Sequence, residues 1–331
     1  MTSRIGLCLL GCGSVARLHS RIARRLPGVD LYFASRSAEK AEAYRRRFHG
    51  RGAFGSYAEA CASAEVDAVF ICTPPSGHVE QARLAAAQGK ALLIEKPVAR
   101  SLAELGAIEA AVQAAGVTAM VAENYYFKPA VRVLREHLAA GDIGTLLFLE
   151  LNRAARSRPT GWRTDPEAMG GGALLEGGVH WVNYLCSLGG AVRDVLAARP
   201  TTSAPSLVPV EDGLELLCRF ESGAVGKLLH AWSVPNRLGG LQLSKAYGTL
   251  GSMVFESNGL FAAVVGGRKR LRLPGIVDLM GYRAMLRHFL QCVRERTAPA
   301  MSLAVARRDL AIVAAAYRSL TSDRFERPES A

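Results

Sequence analysis

The sequence predicts an α/β protein in two parts: a doubly wound parallel sheet over residues 1–123, then over 124–331 an α+β region with a large, mainly antiparallel sheet. Three observations carry this reading. Up to Ala122, short continuously apolar runs alternate with amphipathic stretches. A glycine fingerprint, Gly11-Cys12-Gly13-Ser14-Val15-Ala16, joins the first run to the first amphipathic stretch. After Asn124 the alternation gives way to successive strand-like runs with no long helix between them. Short apolar strands separated by helices belong to a parallel sheet covered on both faces. Consecutive strands without crossover helices belong to an antiparallel one.

In order, the first part reads as strand Ile5–Leu10, helix Val15–Leu26, strand Asp30–Ser35, helix Ala38–Phe48, strand Ala68–Cys72, helix His78–Gln88, strand Ala91–Ile94, helix Leu102–Ala115 and strand Thr118–Ala122. Helix Ala130–Ala140 then leads through Gly141-Asp142-Ile143-Gly144 into strand Leu146–Asn152 and a polar, arginine-rich loop to Met169. A helix over Leu175–Leu188 follows three glycines, and strands are predicted at Val192–Arg199, Gly213–Phe220, Ala224–Ser233, Leu241–Tyr247, Ser252–Glu256 and Leu260–Val265. Helices Tyr282–Glu295 and Leu303–Leu320 close the chain, with a charged, frayed tail after Ser322.

A chain of 331 residues with 50% hydrophobic side chains has ample material for two cores. The seven cysteines are odd in number and show no Cys-x-x-Cys pair, so they support neither a disulfide framework nor a zinc site, and no metal is expected. The unpaired cysteines suit a reducing cytoplasm, and the opening apolar run, far shorter than a membrane span and without a cleavage signature, reads as a buried first strand with no membrane partner expected. Of the 41 basic residues only seven are lysines, so arginine carries the net charge of +12. The runs Arg45-Arg46-Arg47 and Arg268-Lys269-Arg270 join no nucleic-acid-binding motif, and no nucleic-acid partner is expected. The excess favours anionic ligands.

Gly11-x-Gly13-x-x-Ala16 follows a predicted strand and opens a predicted helix, the context that makes it a dinucleotide fingerprint. Gly11 permits the tight turn, Gly13 lets the backbone approach a pyrophosphate, and Ala16 lets helix and strand pack closely. The phosphates then meet the free N–H groups at the helix start, around Ser14 and Val15. At the end of the second strand, where a carboxylate would bond the ribose hydroxyls of NAD(H), the chain has Ser35 and Arg36 with Lys40 one turn on. Asp30 lies too early. A hydroxyl and a guanidinium suit a 2′-phosphate, so NADP(H) is favoured over NAD(H). Thr73, Pro74 and His78 leave the next strand at the ligand edge and are assigned to the cofactor, as are Glu95 and Lys96 after the strand ending at Ile94.

Lys96 at that edge, partly desolvated beside a positively charged nicotinamide, would have its pKa lowered and could exchange a proton with a substrate oxygen. Pro97 stiffens its turn, and a cis Lys96-Pro97 bond is expected. His180 stands four residues after Glu176, which in an α-helix places both side chains on one face. The imidazole can act as acid or base near neutral pH with the carboxylate orienting it. The glycines Gly170, Gly171 and Gly172 would let the backbone approach a ligand closely.

The fingerprint, Thr73-Pro74 with His78, Glu95-Lys96-Pro97, Asn124 through Pro129, Gly141-Asp142-Ile143-Gly144 and Gly170 through His180 stand in the order seen in the Gfo/Idh/MocA family, and the chain resembles that family over its full length. The resemblance implies a Rossmann domain and an open-faced sheet domain, assembly into homodimers or homotetramers through that sheet, and hydride transfer with sugars or cyclitols. It makes Lys96 the proton-transfer lysine and His180 the active-site histidine. Trp162 and Arg163 become substrate contacts on the same ground, and Tyr125 and Tyr126 could stack on a sugar ring. Two positions depart from the family pattern: Glu176 where aspartate is frequent, and Tyr126 where arginine is frequent. The expected activity is interconversion of a carbinol and a ketone on a sugar or cyclitol, free or linked to phosphate or nucleotide. The alternatives are a dihydrodiol or imine oxidoreductase of the biliverdin-reductase kind, and a sensor or assembly protein that binds NADP without chemistry.

Overall fold

The structure, a computed structural model, describes residues 4–157, 159–201, 210–235, 241–266 and 269–329, so Arg268 of the second basic run lies outside it. The chain divides into two compact units, Met1–Glu123 with Tyr282–Ala306 and Asn124–Gly281 with Arg307–Ala331. The segment Tyr282–Ala306, assigned from sequence to the second region, thus belongs to the first unit.

The first unit runs β1 (Ile5–Leu10), α1 (Ser14–Ala23), β2 (Val29–Ala34), α2 (Ala38–Phe48), β3 (Gly52–Phe54), α3 (Tyr57–Ala62), β4 (Ala68–Ile71), α4 (His78–Ala87), β5 (Ala91–Ile94), α5 (Leu102–Ala115) and β6 (Ala119–Val121). Its strands form one six-stranded sheet in the order β3-β2-β1-β4-β5-β6, parallel throughout. Every residue of β1, β4 and β5 is buried, as a strand paired on both edges and covered on both faces requires. The order reverses between β1 and β4. In-register pairs Leu10 with Ile71 and Ile71 with Ile94 bring the turns after β1, β4 and β5 to adjacent strand ends, the ligand-binding edge of such a sheet. The short β3 and α3 escape sequence reading because three residues, Gly-Ala-Phe, carry no apolar run. The helix over Tyr282–Glu295 returns to this unit: Arg294 donates to Gly28 O at 3.1 Å, and Val121 N donates to Met301 O at 2.9 Å.

The second unit contains α6 (Pro129–Ala139), β7 (Leu146–Ala154), α7 (Pro166–Met169), α8 (Val179–Gly189), β8 (Val192–Ala198), β9 (Gly213–Phe220), β10 (Val225–Ala231), β11 (Leu243–Gly248), β12 (Ser252–Glu256), β13 (Ala262–Val265) and β14 (Lys269–Arg272). Two further helices, α9 (Tyr282–Glu295) and α10 (Leu303–Ser322), end the chain. The sheet has eight strands in the order β14-β13-β12-β11-β7-β10-β9-β8. It is mixed: β7 and β10 pair in parallel, while the other neighbours are antiparallel. Helix α8 packs on β7 and β10 and buries one face, where Leu149, Leu151, Leu216, Leu228 and Phe255 are inaccessible. The alternate positions are half-buried or exposed, with Phe148 at 53% and Leu243 at 44% among the exposed ones. Strand β14 was not anticipated because its sequence, Lys-Arg-Leu-Arg, reads as a solvated basic run.

Candidate active-site residues in each unit

In the first unit Gly11 has φ +100, and a Cβ there would stand 3.0 Å from Thr73 Cγ2 and 3.2 Å from Cys72 O, so only glycine fits the turn against the end of β4. Gly13 faces open space, with nothing within 4 Å of a built Cβ. Helix α1 starts there without a side-chain cap, whereas Ser37, Ser56 and Ser101 accept from Lys40 N, Glu59 N and Glu104 N at the starts of α2, α3 and α5. An uncapped helix start facing open space fits a dinucleotide's pyrophosphate.

At the end of β2 Ser35 is buried and its hydroxyl accepts from Ser37 N at 3.2 Å, while Arg36 and Lys40 are exposed. Their charges reach the turn: burial pushes the Cys12 thiol up to about 11 and Lys40 opposes it, and Arg36 acts in the same sense on the Tyr57 phenol. Asp30, at the opposite end of β2, is held by Arg4 at 2.7 Å and Arg51 at 3.1 Å, which keep its carboxyl down at about 2. No carboxylate of β2 therefore stands where the ribose hydroxyls of a dinucleotide would be bonded.

Two residues assigned to the cofactor have partners within the protein. His78 is fully buried, with Nδ1 3.1 Å from Val98 O and Nε2 3.0 Å from Thr73 O, and burial lowers its pKa. A neutral imidazole has one N–H, so the ring donates to one of these carbonyls while its other nitrogen faces the second, and neither nitrogen is turned to a ligand. The Glu95 carboxylate is likewise engaged within the protein: Oε1 lies 2.6 Å from His19 Nε2, and Oε2 accepts from Lys96 N at 3.1 Å. Thr73 Oγ1 donates to Gln81 Oε1 at 2.7 Å, and Pro74 caps the short helical turn that follows. Lys96 is half-buried at the end of β5, and the bond to Pro97 is cis.

In the second unit the segment bearing Glu176 is not the regular helix expected. Leu174–Gly178 forms a π-helical turn ahead of α8, whose i→i+5 bonds widen the winding between Glu176 and His180. Arg163 Nε donates to Glu176 Oε1 at 2.7 Å, and the Arg163 guanidinium lies 4.6 Å from the centroid of the Trp162 ring. The additional methylene of Glu176 thus serves a bond to Arg163, a residue that sequence reading gave to the substrate. His180 is buried and stacks on Tyr125 at 4.4 Å with the rings 8° apart, while Lys128 Nζ lies 4.3 Å from the same Tyr125 centroid. An imidazole and an ammonium thus lie against the ring of Tyr125, a candidate for stacking on a sugar. Tyr126 in turn carries the Arg135 guanidinium 4.1 Å from its centroid.

The π-helical turn rests on groups that sequence reading missed. Glu211 accepts from Leu174 N through both oxygens at 3.2 Å, and its carbonyl accepts from Ala173 N at 2.8 Å. Tyr317 donates to Glu211 Oε2 at 3.1 Å and accepts from Gly172 N and Leu175 N at 3.0 and 3.2 Å. A Cβ at Gly172 would fall 2.2 Å from Glu211 O, so this glycine admits a protein carboxylate and carbonyl, not a ligand. The buried His230 ring packs against Gly177 and Gly178. No local spacing announces these partners; Glu211 and Tyr317 are 106 residues apart.

Burial pushes the Glu211 carboxyl up to about 7, while its bonds from Leu174 and Tyr317 favour the ionised form. The native value lies above the ordinary 4.5, so the folded chain binds this proton more tightly than the unfolded one. The resulting stability is complete below the unfolded value and is lost as the pH rises through the folded one. Glu211→Gln is therefore expected to flatten the decline of stability between roughly pH 5 and 8 by about 3 kcal/mol. Thermal melts across that range check this, and a slope unchanged from the parent protein would refute it.

Comparison with known proteins places these features. A model of the oxidoreductase family with an NAD-binding Rossmann fold matches residues 5–123, and one of the GFO/IDH/MocA C-terminal domain matches 131–254. The chain belongs to the Gfo/Idh/MocA family of oxidoreductases. It is 29% identical over 283 residues to levoglucosan dehydrogenase of Pseudarthrobacter phenanthrenivorans, spanning 75% of this chain and 72% of that one. It is 30% identical over 198 residues to mouse trans-1,2-dihydrobenzene-1,2-diol dehydrogenase, spanning 56% of each. Among solved structures, aldose-aldose oxidoreductase of Caulobacter crescentus complexed with glycerol superposes with a TM-score of 0.88 at 23% identity, over 98% of this family member and 99% of that chain. Both sheets have the arrangement the family resemblance implies, with the parallel β7–β10 pair as a detail added by the structure.

Proposed function

We propose that this family member is a dehydrogenase or reductase acting on CH–OH donors, which interconverts a carbinol and a ketone on a sugar or cyclitol with NADP(H) as the favoured cofactor. The observation that carries the reading is Lys96 at the carboxyl end of β5, beside the uncapped glycine turn of α1 on the same sheet edge. The similarity to levoglucosan dehydrogenase supports a sugar substrate. When bound, the nicotinamide supplies or accepts the hydride.

The protein's own residues do the rest. Gly11, Gly13 and the N–H groups of Ser14 and Val15 would hold the pyrophosphate, with Thr73 and Pro74 alongside. Ser35, Arg36 and Lys40 would take a 2′-phosphate. Lys96 donates a proton to the substrate oxygen in the reducing direction and removes it in the other, with His180 assisting. Glu176, held by Arg163, orients the polar groups around it, and Trp162 and Tyr126 contact the sugar. A panel of free, phosphorylated and nucleotide-linked keto sugars and cyclitols, assayed with NADPH and NADH in parallel, tests this. Substrate-dependent change in NADPH absorbance is expected, and its absence across the panel would leave a cofactor-binding protein without chemistry. A second reading, oxidation of a dihydrodiol, is favoured by the similarity to the mouse enzyme and is tested by adding such diols to the panel.

We further propose that the protein is a homodimer or homotetramer joined through the exposed face of the eight-stranded sheet. Register aligns Tyr247, Phe148 and Val225 in one row on that face and Lys245, Glu150 and Lys227 in the next. An apolar row beside a row of alternating charge is self-complementary across a two-fold axis. Phe148→Asp is expected to halve the mass measured by light scattering at micromolar concentration; an unchanged mass would place the interface elsewhere.

A further inference from the structure

His19 takes no part in the function proposed above, yet its setting calls for one. It lies on α1, 1% exposed, with its ring 4.4 Å from Phe70 and its edge relation to Tyr282 at 5.3 Å and 82°. Nδ1 is buried with no hydrogen-bond partner among the described residues, while Nε2 is 2.6 Å from Glu95 Oε1. The bare nitrogen fixes the tautomer: a proton on Nδ1 would be buried unsatisfied, so the ring carries it on Nε2 and donates to the carboxylate. A leucine would fill this aromatic slot without an idle nitrogen. What an imidazole adds is a donor aimed at Glu95.

We infer that His19 is a positioning residue for Lys96, acting through Glu95. The carboxylate is bridged. Oε1 takes the His19 proton and Oε2 takes the main-chain N–H of Lys96 at 3.1 Å, so helix α1 is strapped to the backbone of the residue that bears the ammonium. The far side of the same turn is held separately by the buried His78 ring, lodged between Val98 O at 3.1 Å and Thr73 O of the neighbouring turn at 3.0 Å. With both sides held, the Lys96 main chain cannot pivot at the strand end, and its side chain starts from one fixed origin. Removing His19 takes from the Glu95 carboxylate the partner that joins it to α1, and the link from that helix to the Lys96 main chain is lost.

This inference rests on the role proposed for Lys96, and the experiment separates the two. His19→Leu, His19→Gln and Lys96→Ala are compared with the parent full-length protein for kcat, KM and NADPH dissociation, with circular dichroism as the folding control. Glutamine places an amide N–H where Nε2–H stands. His19→Leu is expected to lower kcat roughly 10- to 100-fold with KM and NADPH affinity within about two-fold, and His19→Gln to recover kcat to within about three-fold. A leucine variant with parental kcat overturns the inference, as does equal loss in both variants. If Lys96→Ala keeps parental kcat, the proton-transfer reading itself falls, whatever His19 does. Should His19→Leu not fold, Glu95→Gln replaces it: the same split between kcat and KM supports the strap, and parental kcat removes it.

Discussion

Lys96→Ala is expected to lower kcat by roughly 10³-fold while NADPH still binds with about its parental affinity. The side chain leaves the end of β5 at the edge of the sheet where ligands collect, half-buried, from a turn held at Glu95 and Val98. Loss of a positioned acid or base removes stabilisation that exists only in the transition state, so kcat and kcat/KM fall together. Single-turnover absorbance at 340 nm, with fluorescence titration of NADPH beside it, makes the measurement. Lys96→Arg is the informative companion. A guanidinium retains charge and hydrogen bonding but does not exchange its proton near neutral pH, so binding should stay parental while turnover is not restored. Parental turnover in the alanine variant would remove the mechanism, leaving the glycine turn as a nucleotide-holding site alone.

Arg36→Ala is expected to weaken NADPH binding roughly 10- to 100-fold and to leave NADH binding nearly unchanged, because charge-assisted bonds to phosphate contribute about 1.5–3 kcal/mol. The loss should stop short of abolition. Lys40 stays exposed one turn away on α2, and Ser35 remains at the strand end. Isothermal titration with both cofactors reads the difference directly. Equal weakening toward both would mean that Arg36 lies on the adenine and does not discriminate, and a parent protein that prefers NADH would overturn the assignment outright. Asp30 cannot take over the ribose-binding role, since it sits at the far end of β2 between Arg4 and Arg51.

The sheet of the first unit was legible because strands such as Leu9-Leu10 and Val69-Phe70-Ile71 are buried on both faces, and such burial writes itself as continuous apolar sequence. The glycine turn was legible because Gly11 cannot be replaced against Thr73. Lys96 and its proline stood out for the same local reason, a fixed position at a strand end. What sequence could not announce were contacts whose partners are remote. His19 meets Glu95 across 76 positions, and Asn183 meets Asp309 across 126. Periodicity also could not announce where the backbone departs from the regular α-helix. The π-helical turn at Leu174–Gly178 keeps the residue types of an α-helix and alters only the angular offset between Glu176 and His180. His78 was placed on the ligand edge correctly by strand order, but burial turned its ring inward to two carbonyls. Tyr125 reads in sequence as either a sugar platform or packing, and in the structure it stacks on the imidazole of His180.

The ring of Tyr282 against His19, and the bond from Val121 N to Met301 O, have a consequence for how the protein is made. The nucleotide-binding unit is finished by a segment that leaves the ribosome some 160 residues after its last strand, Ala119–Val121. A fragment ending at Glu123 would expose the face of α1 that α9 covers, and it should be sticky and poorly soluble. Emergence of the full polypeptide is therefore coupled to maturation of its N-terminal half, and an excised cofactor-binding fragment has to carry residues 282–306 on a linker to behave as a monomeric solute.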